Sequence, residues 1–233
     1  MEDSELRFDR TCHVLYSKKC KAAIRDHIAL HYPAERREEV FSAVQAQFVD
    51  WLGDFRRDLG GKRNFHNGTG GTYDNIMVLA YYVVCRDVTS FAEIEELYGG
   101  IFLESFARLR FVDCNRRLFK RLMYRAFLSA KARCDKWHDY EMVVEPYEEG
   151  EPIRYRFTAC PVAEFAREHD LLDILPALCN VDYAAMELIR ARLVRTTTLG
   201  TGDFCDYAIC GDKDPYLAEH EEYRDENGGR WNR

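Results

Sequence analysis

The chain has no Cys-x-x-Cys pair, no phosphate-binding glycine signature, no basic excess and no long apolar run, and each absence removes a class of function. Its 233 residues carry 33 Lys and Arg against 40 Asp and Glu, for a net charge of −7. A nucleic-acid backbone needs a basic face, so nucleic acid is not expected as a partner. The Arg116-Arg117…Lys120-Arg121 cluster reads as the solvated face of a helix. No stretch approaches the ~20 apolar residues of a spanning helix, and the opening Met1-Glu2-Asp3-Ser4-Glu5 is acidic, unlike a signal peptide. A membrane is therefore not expected as a partner, and the expected location is the cytosol. Neither Gly-x-Gly-x-x-Gly nor Gly-Lys-Ser/Thr occurs, so the glycines around His66 fit no phosphate template. The nine cysteines (12, 20, 85, 114, 134, 160, 179, 205 and 210) are an odd set without a close pair. That is poor material for a disulfide framework, and a reducing compartment keeps them as thiols.

What is present is the composition of a globular protein, with 47% hydrophobic and 31% charged residues. The first two thirds read as helices. Asp9 or Thr11 caps a first helix that Tyr32-Pro33 ends at about His31, because a residue before proline avoids the α region. Pro33 suits the first turn of the next helix. There Val40, Val44, Phe48, Trp51, Leu52 and Phe55 form an amphipathic stripe that Gly60-Gly61 stops. An apolar helix from about Tyr73 to Arg86 follows the glycine-rich loop. Ser90 with Glu93 forms a capping box for another, running to about Leu109, and a further helix spans about Asn115 to Trp137.

After His138 the pattern turns to strands. Tyr140–Glu145 and Ile153–Thr158 flank a Glu-Gly-Pro turn as a hairpin, Arg154 and Arg156 marking a wet face. Two helices, about Pro161–His169 and Leu171–Arg190, precede a second hairpin of Leu193–Leu199 with Phe204–Cys210. The segment from Gly211 holds more acids than bases and few large aliphatics, and is expected to be loose. The fold class expected is α+β: a helical region (1–137), an α+β region (138–210) built on a small antiparallel sheet, and an acidic tail (211–233).

Three cysteines in the last third sit in polar or glycine-bearing motifs: Cys160-Pro161; Cys179-Asn180-Val181-Asp182; and Arg195-Thr-Thr-Thr-Leu-Gly-Thr-Gly202-Asp203-Phe204-Cys205-Asp206-Tyr207. Cys160 lies at a strand-to-helix junction, where the helix dipole and free N–H groups favour thiolate; a small residue at a tight corner is the plain alternative. Cys179 and Asp182 share a helix face that also carries Leu175 and Met186. Asp182 is read as a catalytic or substrate-holding carboxylate, or as a structural ion pair with Arg192 or Arg195. Strand alternation puts Cys205 with Tyr207 on one face and Asp206 with Phe204 on the other, so only one of Cys205 and Asp206 can line a site with Asp182. Gly200 and Gly202 suit a hairpin turn or a close ligand approach. Arg195 is suited to clamp a carboxylate, or is an ordinary strand arginine. His66 is read as a loop residue ahead of an acid–base one.

These motifs resemble those of the L-2-amino-thiazoline-4-carboxylic acid hydrolase family, over roughly Tyr155 to Ile209. The family carries a Cys-Pro-like site, a Cys-x-x-Asp site and an Arg-Thr…Gly…Cys-Asp-Phe/Tyr ending; Tyr207 stands where phenylalanine is common, adding a hydroxyl. The resemblance implies a hydrolase that opens a cyclic amidine to an N-carbamoyl product. On that reading Cys160, Cys179, Asp182, Cys205 and Asp206 are catalytic candidates, and Arg195, His66 and Gly202 bind substrate. The partner expected is a small molecule. No cofactor is expected: zinc or an iron–sulfur cluster would accept Cys160, Cys179 and Cys205, yet their spacings of 19 and 26 residues carry no ligand-pair signature. The alternatives are a non-catalytic ligand- or metal-binding module with redox-sensitive cysteines, and a ring-opening hydrolase or lyase acting on an unrelated heterocycle.

Overall fold

The computed structural model describes residues 16–52, 72–137 and 140–233. Helix α1 (Lys18–His31) is capped by Ser17, whose hydroxyl accepts from Cys20 N–H, and it ends at Tyr32, held extended ahead of Pro33. The cap expected at Asp9 or Thr11 lies outside the described residues. Pro33 is the N-cap of α2 (Ala34–Trp51), one position earlier than expected. The α2 stripe buries Val40, Phe41, Val44, Phe48 and Trp51; Phe55 and Gly60-Gly61 are outside the described residues. Every side chain of α3 (Thr72–Val84) from Thr72 to Tyr82 is buried, as an all-round apolar helix requires. Asp74 of α3 accepts the Ser17 N–H at 2.7 Å and its hydroxyl at 2.8 Å, which ties α1 to α3. The Ser90/Glu93 capping box opens α4 (Phe91–Phe106), which runs into a 3-10 turn at Ala107–Leu109. Helix α5 spans Arg117–Trp137. No helix among the described residues is long and apolar enough to cross a membrane.

The strands β1 (Glu141–Val144), β2 (Ile153–Ala159), β3 (Ala191–Val194) and β4 (Cys205–Gly211) form an antiparallel sheet in the order β1-β2-β4-β3. The fold is α+β. On β2 the alternation holds: Ile153, Tyr155 and Phe157 are buried while Arg156 and Thr158 are exposed. Helix α5 packs on the apolar face, with Phe127 and Tyr155 ring centroids 4.4 Å apart. Three short helices, α6 (Pro161–Glu168), α7 (Leu175–Cys179) and α8 (Val181–Glu187), connect β2 to β3.

Two expectations change here. Pairing in the second hairpin stops at Val194, because the next amides bond to a side chain instead: Thr196 and Thr197 N–H donate to the Asp206 carboxylate at 2.7–3.1 Å. The tail is not loose. It forms a 3-10 helix (Pro215–Glu219) and a hairpin of β5 (Glu222–Arg224) with β6 (Arg230–Asn232), burying Trp231 and Asn232. Composition misjudged it because one tryptophan and one doubly used asparagine anchor the segment.

The apolar interior has two clusters. One joins α1–α4 with α6 and α7, the other joins the sheet with α8 and side chains of α5. Phe102, Leu103, Cys160 and Leu199 pack against both, so Cys160 lies on the seam between them.

Candidate active site

Three separate segments bring the cysteines together, Cys179 packing on one cluster, Cys205 within the other and Cys160 against both. Cys160 is the N-cap of α6, Cys179 the last residue of α7 and Cys205 the first residue of β4. The single helix expected over 171–190 is interrupted at Asn180, although its backbone stays in the αR region. The Asn180 side chain is committed to the tail, donating to Gly228 O at 2.9 Å and accepting Arg230 N–H at 2.8 Å. Since the backbone direction persists, Cys179 and Asp182 still address one point. Arg195 Nη1 donates to the Cys179 carbonyl at 3.1 Å and to Asp182 Oδ2 at 3.4 Å.

Arg195 is the centre of the arrangement. Its side chain is only 1% exposed. The guanidinium lies 5.0 Å from the Tyr183 ring, 5.9 Å from Tyr207 and 5.6 Å from Trp231, a cage of three π faces. Asn232 closes it, its Oδ1 accepting Arg195 N–H at 3.1 Å while its own N–H donates to Arg195 O at 2.8 Å. Burial alone would pull this guanidinium's pKa down, but Tyr207, Cys179 and Asp182 outweigh it and the charge is kept. Nε has no hydrogen-bond partner among the described residues.

Asp182 Oδ2 also accepts the Tyr207 hydroxyl at 3.1 Å. The pKa of Asp182 is raised from the usual carboxylate value; burial drives it up, against Arg195 and Tyr207, which pull it down. Yet 32% of its side-chain surface is exposed. Cys160 and Cys179 are likewise half-buried, whereas Cys205 is buried. A small cavity of about 20 Å³ adjoins the group, lined by Cys179, Arg195, Thr198, Gly200 and Trp231 among others. It has room for a single water, not for a five-membered ring.

The three thiols interact electrostatically with one another, and Asp182 reaches both Cys179 and Cys205. Each thiol is pushed up to about 12, burial being the leading cause. This corrects the thiolate expected at Cys160. The Ala163 and Val162 N–H groups at the start of α6 do stabilise its anion, but burial outweighs them and the resting group is a neutral thiol.

The remaining expected site residues are placed elsewhere. Asp206 is on the opposite face from Cys205 and caps the Thr196–Thr197 turn, also accepting the Thr196 hydroxyl at 2.8 Å, so it does not join Asp182. Gly202 does not line the cavity; its N–H closes the turn on Thr198 O at 2.7 Å, and Gly200 lines the cavity in its place. A Cβ on Gly202 would lie 2.6 Å from Thr197 Oγ1, so the requirement there is steric. His66 lies outside the described residues. The sulfurs of Cys160, Cys179 and Cys205 do not gather within the 4.8 Å mutual reach of one metal ion; among the described residues the group that does is His27, His31 and Glu93. Sequence reasoning missed Tyr98, Tyr155, Tyr183, Trp231 and Asn232. Tyr98 and Tyr155 both feel the Asp182 charge. Their only sequence signal was being aromatic on buried faces, which core packing explains equally well.

Against this geometry, the family model for L-2-amino-thiazoline-4-carboxylic acid hydrolase matches residues 75–209, more than half of the chain. The chain belongs to that hydrolase family. No curated protein matches it. The matched segment holds Cys160, Cys179, Asp182, Arg195, Cys205 and Tyr207, and leaves out α1, α2 and the tail hairpin that closes over Arg195.

Proposed function

We propose that the protein hydrolyses a small cyclic amidine bearing a carboxylate, of the 2-aminothiazoline-4-carboxylate type, to an N-carbamoyl thiol. The observation that carries this reading is the convergence of Asp182, a buried Arg195 and three thiols on the seam between the two apolar clusters. The protonated amidine pairs with the Asp182 carboxylate. The carboxylate of the substrate takes the donor that Arg195 leaves unused at Nε.

The protein's own groups do not supply enough positive charge to offset the burial of a thiolate here. A cationic amidine beside Cys160 supplies that charge and lowers the cost of ionisation. The Cys160 sulfur then bonds to the amidine carbon, the ring carbon–sulfur bond breaks, and the Cys160 proton passes to the departing ring sulfur. Water next attacks the S-linked isothiourea carbon, giving its proton to Asp182. The Cys160–carbon bond breaks and the thiol re-forms. One water is consumed, and the products are a carbamoyl group and a free thiol. Entry of a ring requires the small cavity beside Arg195 to widen.

Incubation with 2-aminothiazoline-4-carboxylate tests this, following the new thiol colorimetrically and the carbamoyl product by mass spectrometry. Ring opening is expected with wild type, and an S-linked adduct of Cys160 is expected in acid-quenched samples. Cys160→Ala with undiminished turnover overturns the covalent route. A ring left intact by the wild-type protein overturns the function.

A further inference from the structure

Outside this site, a second group of potential ligands lies where α1 meets the N-terminus of α4. One ring nitrogen each from His27 and His31 and a carboxylate oxygen of Glu93 lie within 4.8 Å of one another. The two histidines are four residues apart on α1, hence on one helix face, with ring centroids 5.1 Å apart. His31 Nε2 is 3.0 Å from Glu93 Oε1, yet this nitrogen is buried and makes no hydrogen bond in proper geometry. It is a polar atom aimed at a carboxylate without being satisfied by it.

Each of the other two groups is already oriented from behind. His27 Nδ1 is held by the Tyr81 hydroxyl at 2.6 Å, and that hydroxyl is 3.3 Å from Thr89 Oγ1. Glu93 Oε2 accepts both the N–H and the hydroxyl of Ser90 at 2.7 Å, which leaves Oε1 for the histidines. A hydrogen bond that fixes the far side of an imidazole and a carboxylate locked at its second oxygen are the outer-shell features that orient metal ligands. The His31 and Glu93 side chains are 20% and 34% exposed, so ions and water have access. Glu96, one turn further along α4 and exposed, is near enough to influence His27 electrostatically.

We propose that His27 Nε2, His31 Nε2 and Glu93 Oε1 bind one divalent transition ion of the zinc class, with water in the open position. Two imidazoles and one carboxylate suit zinc and disfavour magnesium or calcium, which require oxygen ligands throughout. The ion clamps α1 to α4. His27 and His31 precede the segment matched by the hydrolase family model, whereas Glu93 lies within it.

The test uses the full chain stripped with a chelator and dialysed, then titrated with zinc chloride by calorimetry and with cobalt chloride by visible absorption. One equivalent of zinc is expected, with a tetrahedral cobalt spectrum. Tm should rise by about 5–10 °C at a 100-fold excess over the dissociation constant, and magnesium should have no effect. His31→Ala and His27→Ala should each weaken zinc binding at least about 100-fold. Tyr81→Phe removes only the support behind His27 and should weaken it about 10-fold. Binding that survives in the double histidine variant, or a wild-type protein that takes up no zinc while folded by circular dichroism, overturns the proposal. Neither result bears on the ring-opening chemistry, which is assayed separately.

Discussion

Asp182→Asn distinguishes a functional carboxylate from a structural ion pair, because the two roles predict stability changes of opposite sign. If the Asp182–Arg195 pair served stability, removing one partner would strand a buried guanidinium and cost about 3–5 kcal/mol. For a chain of this size that lowers Tm by about 6–20 °C. The site argues otherwise. The pKa of Asp182 is raised above its ordinary value, burial being the larger influence and the Arg195 and Tyr207 interactions the smaller. Its neutral form is therefore favoured by folding even with Arg195 in place, and asparagine is a neutral isostere. The amide oxygen that the substitution introduces can still accept from Arg195 and Tyr207, and three rings remain around the guanidinium. We expect a Tm at pH 7 equal to wild type or up to about 3 °C above it, with ring opening lost. The pH dependence carries the same sign. A carboxyl whose folded pKa is raised binds its proton more tightly in the folded state, so the wild type gains stability as pH falls through that pKa toward 3.8. The advantage of the variant should therefore be greatest near neutrality and vanish in acid. Calorimetric scans from pH 4 to 8 on both proteins supply the comparison. A drop of 6 °C or more at pH 7 would refute the reasoning and make the pair structural.

Tyr207→Phe deletes the hydroxyl that donates to Asp182. Because that bond holds the Asp182 pKa down, its loss should move the acid limb of the activity–pH profile upward, with little change in Tm; an unmoved limb separates Asp182 from the titration that controls rate. Gly202→Ala should cost about 1–2 kcal/mol by urea unfolding, since the added methyl meets Thr197 Oγ1 at 2.6 Å, and Thr197→Ala in the same chain should recover most of it. Cys205 has a folded pKa of about 12 against 9.0 for a free thiol, so its contribution to stability is full below pH 9 and is lost as pH rises toward 12. By pH 10 the loss is on the order of 1 kcal/mol from this thiol, and Cys205→Ala should flatten the alkaline slope of stability correspondingly; an unchanged slope shows that the thiol titrates normally.

How far the sequence reported these features depended on the range of the interaction involved. Ser90 with Glu93, the alternation of β2 and the turn at Tyr32-Pro33 are local, and each appears in the structure where the residues indicate. Alternation barred Asp206 from sharing a face with Cys205 but left open which of the two would line the site; the bonds of Asp206 to Thr196 and Thr197 decide it. The ionisation of Cys160 could not be read that way. Its helix N-terminus is a local fact, but the burial that overrides it comes from two apolar clusters meeting around the residue, and those are assembled from distant segments. The role of the tail was hidden for a related reason. Its composition is that of a loose segment, yet Trp231 and Asn232 act on Arg195 from 36 and 37 positions away, replacing solvent around a buried cation. A bulk average over twenty residues cannot weigh two side chains that fit one cavity. The same contrast explains why Tyr207 was legible and Tyr98 was not: the extra hydroxyl of Tyr207 stood out against a motif, whereas Tyr98 is one more aromatic on a helix face whose purpose is packing. Residues that serve the site through polar tips on apolar bodies are invisible to patterning until the fold shows which tip meets which charge.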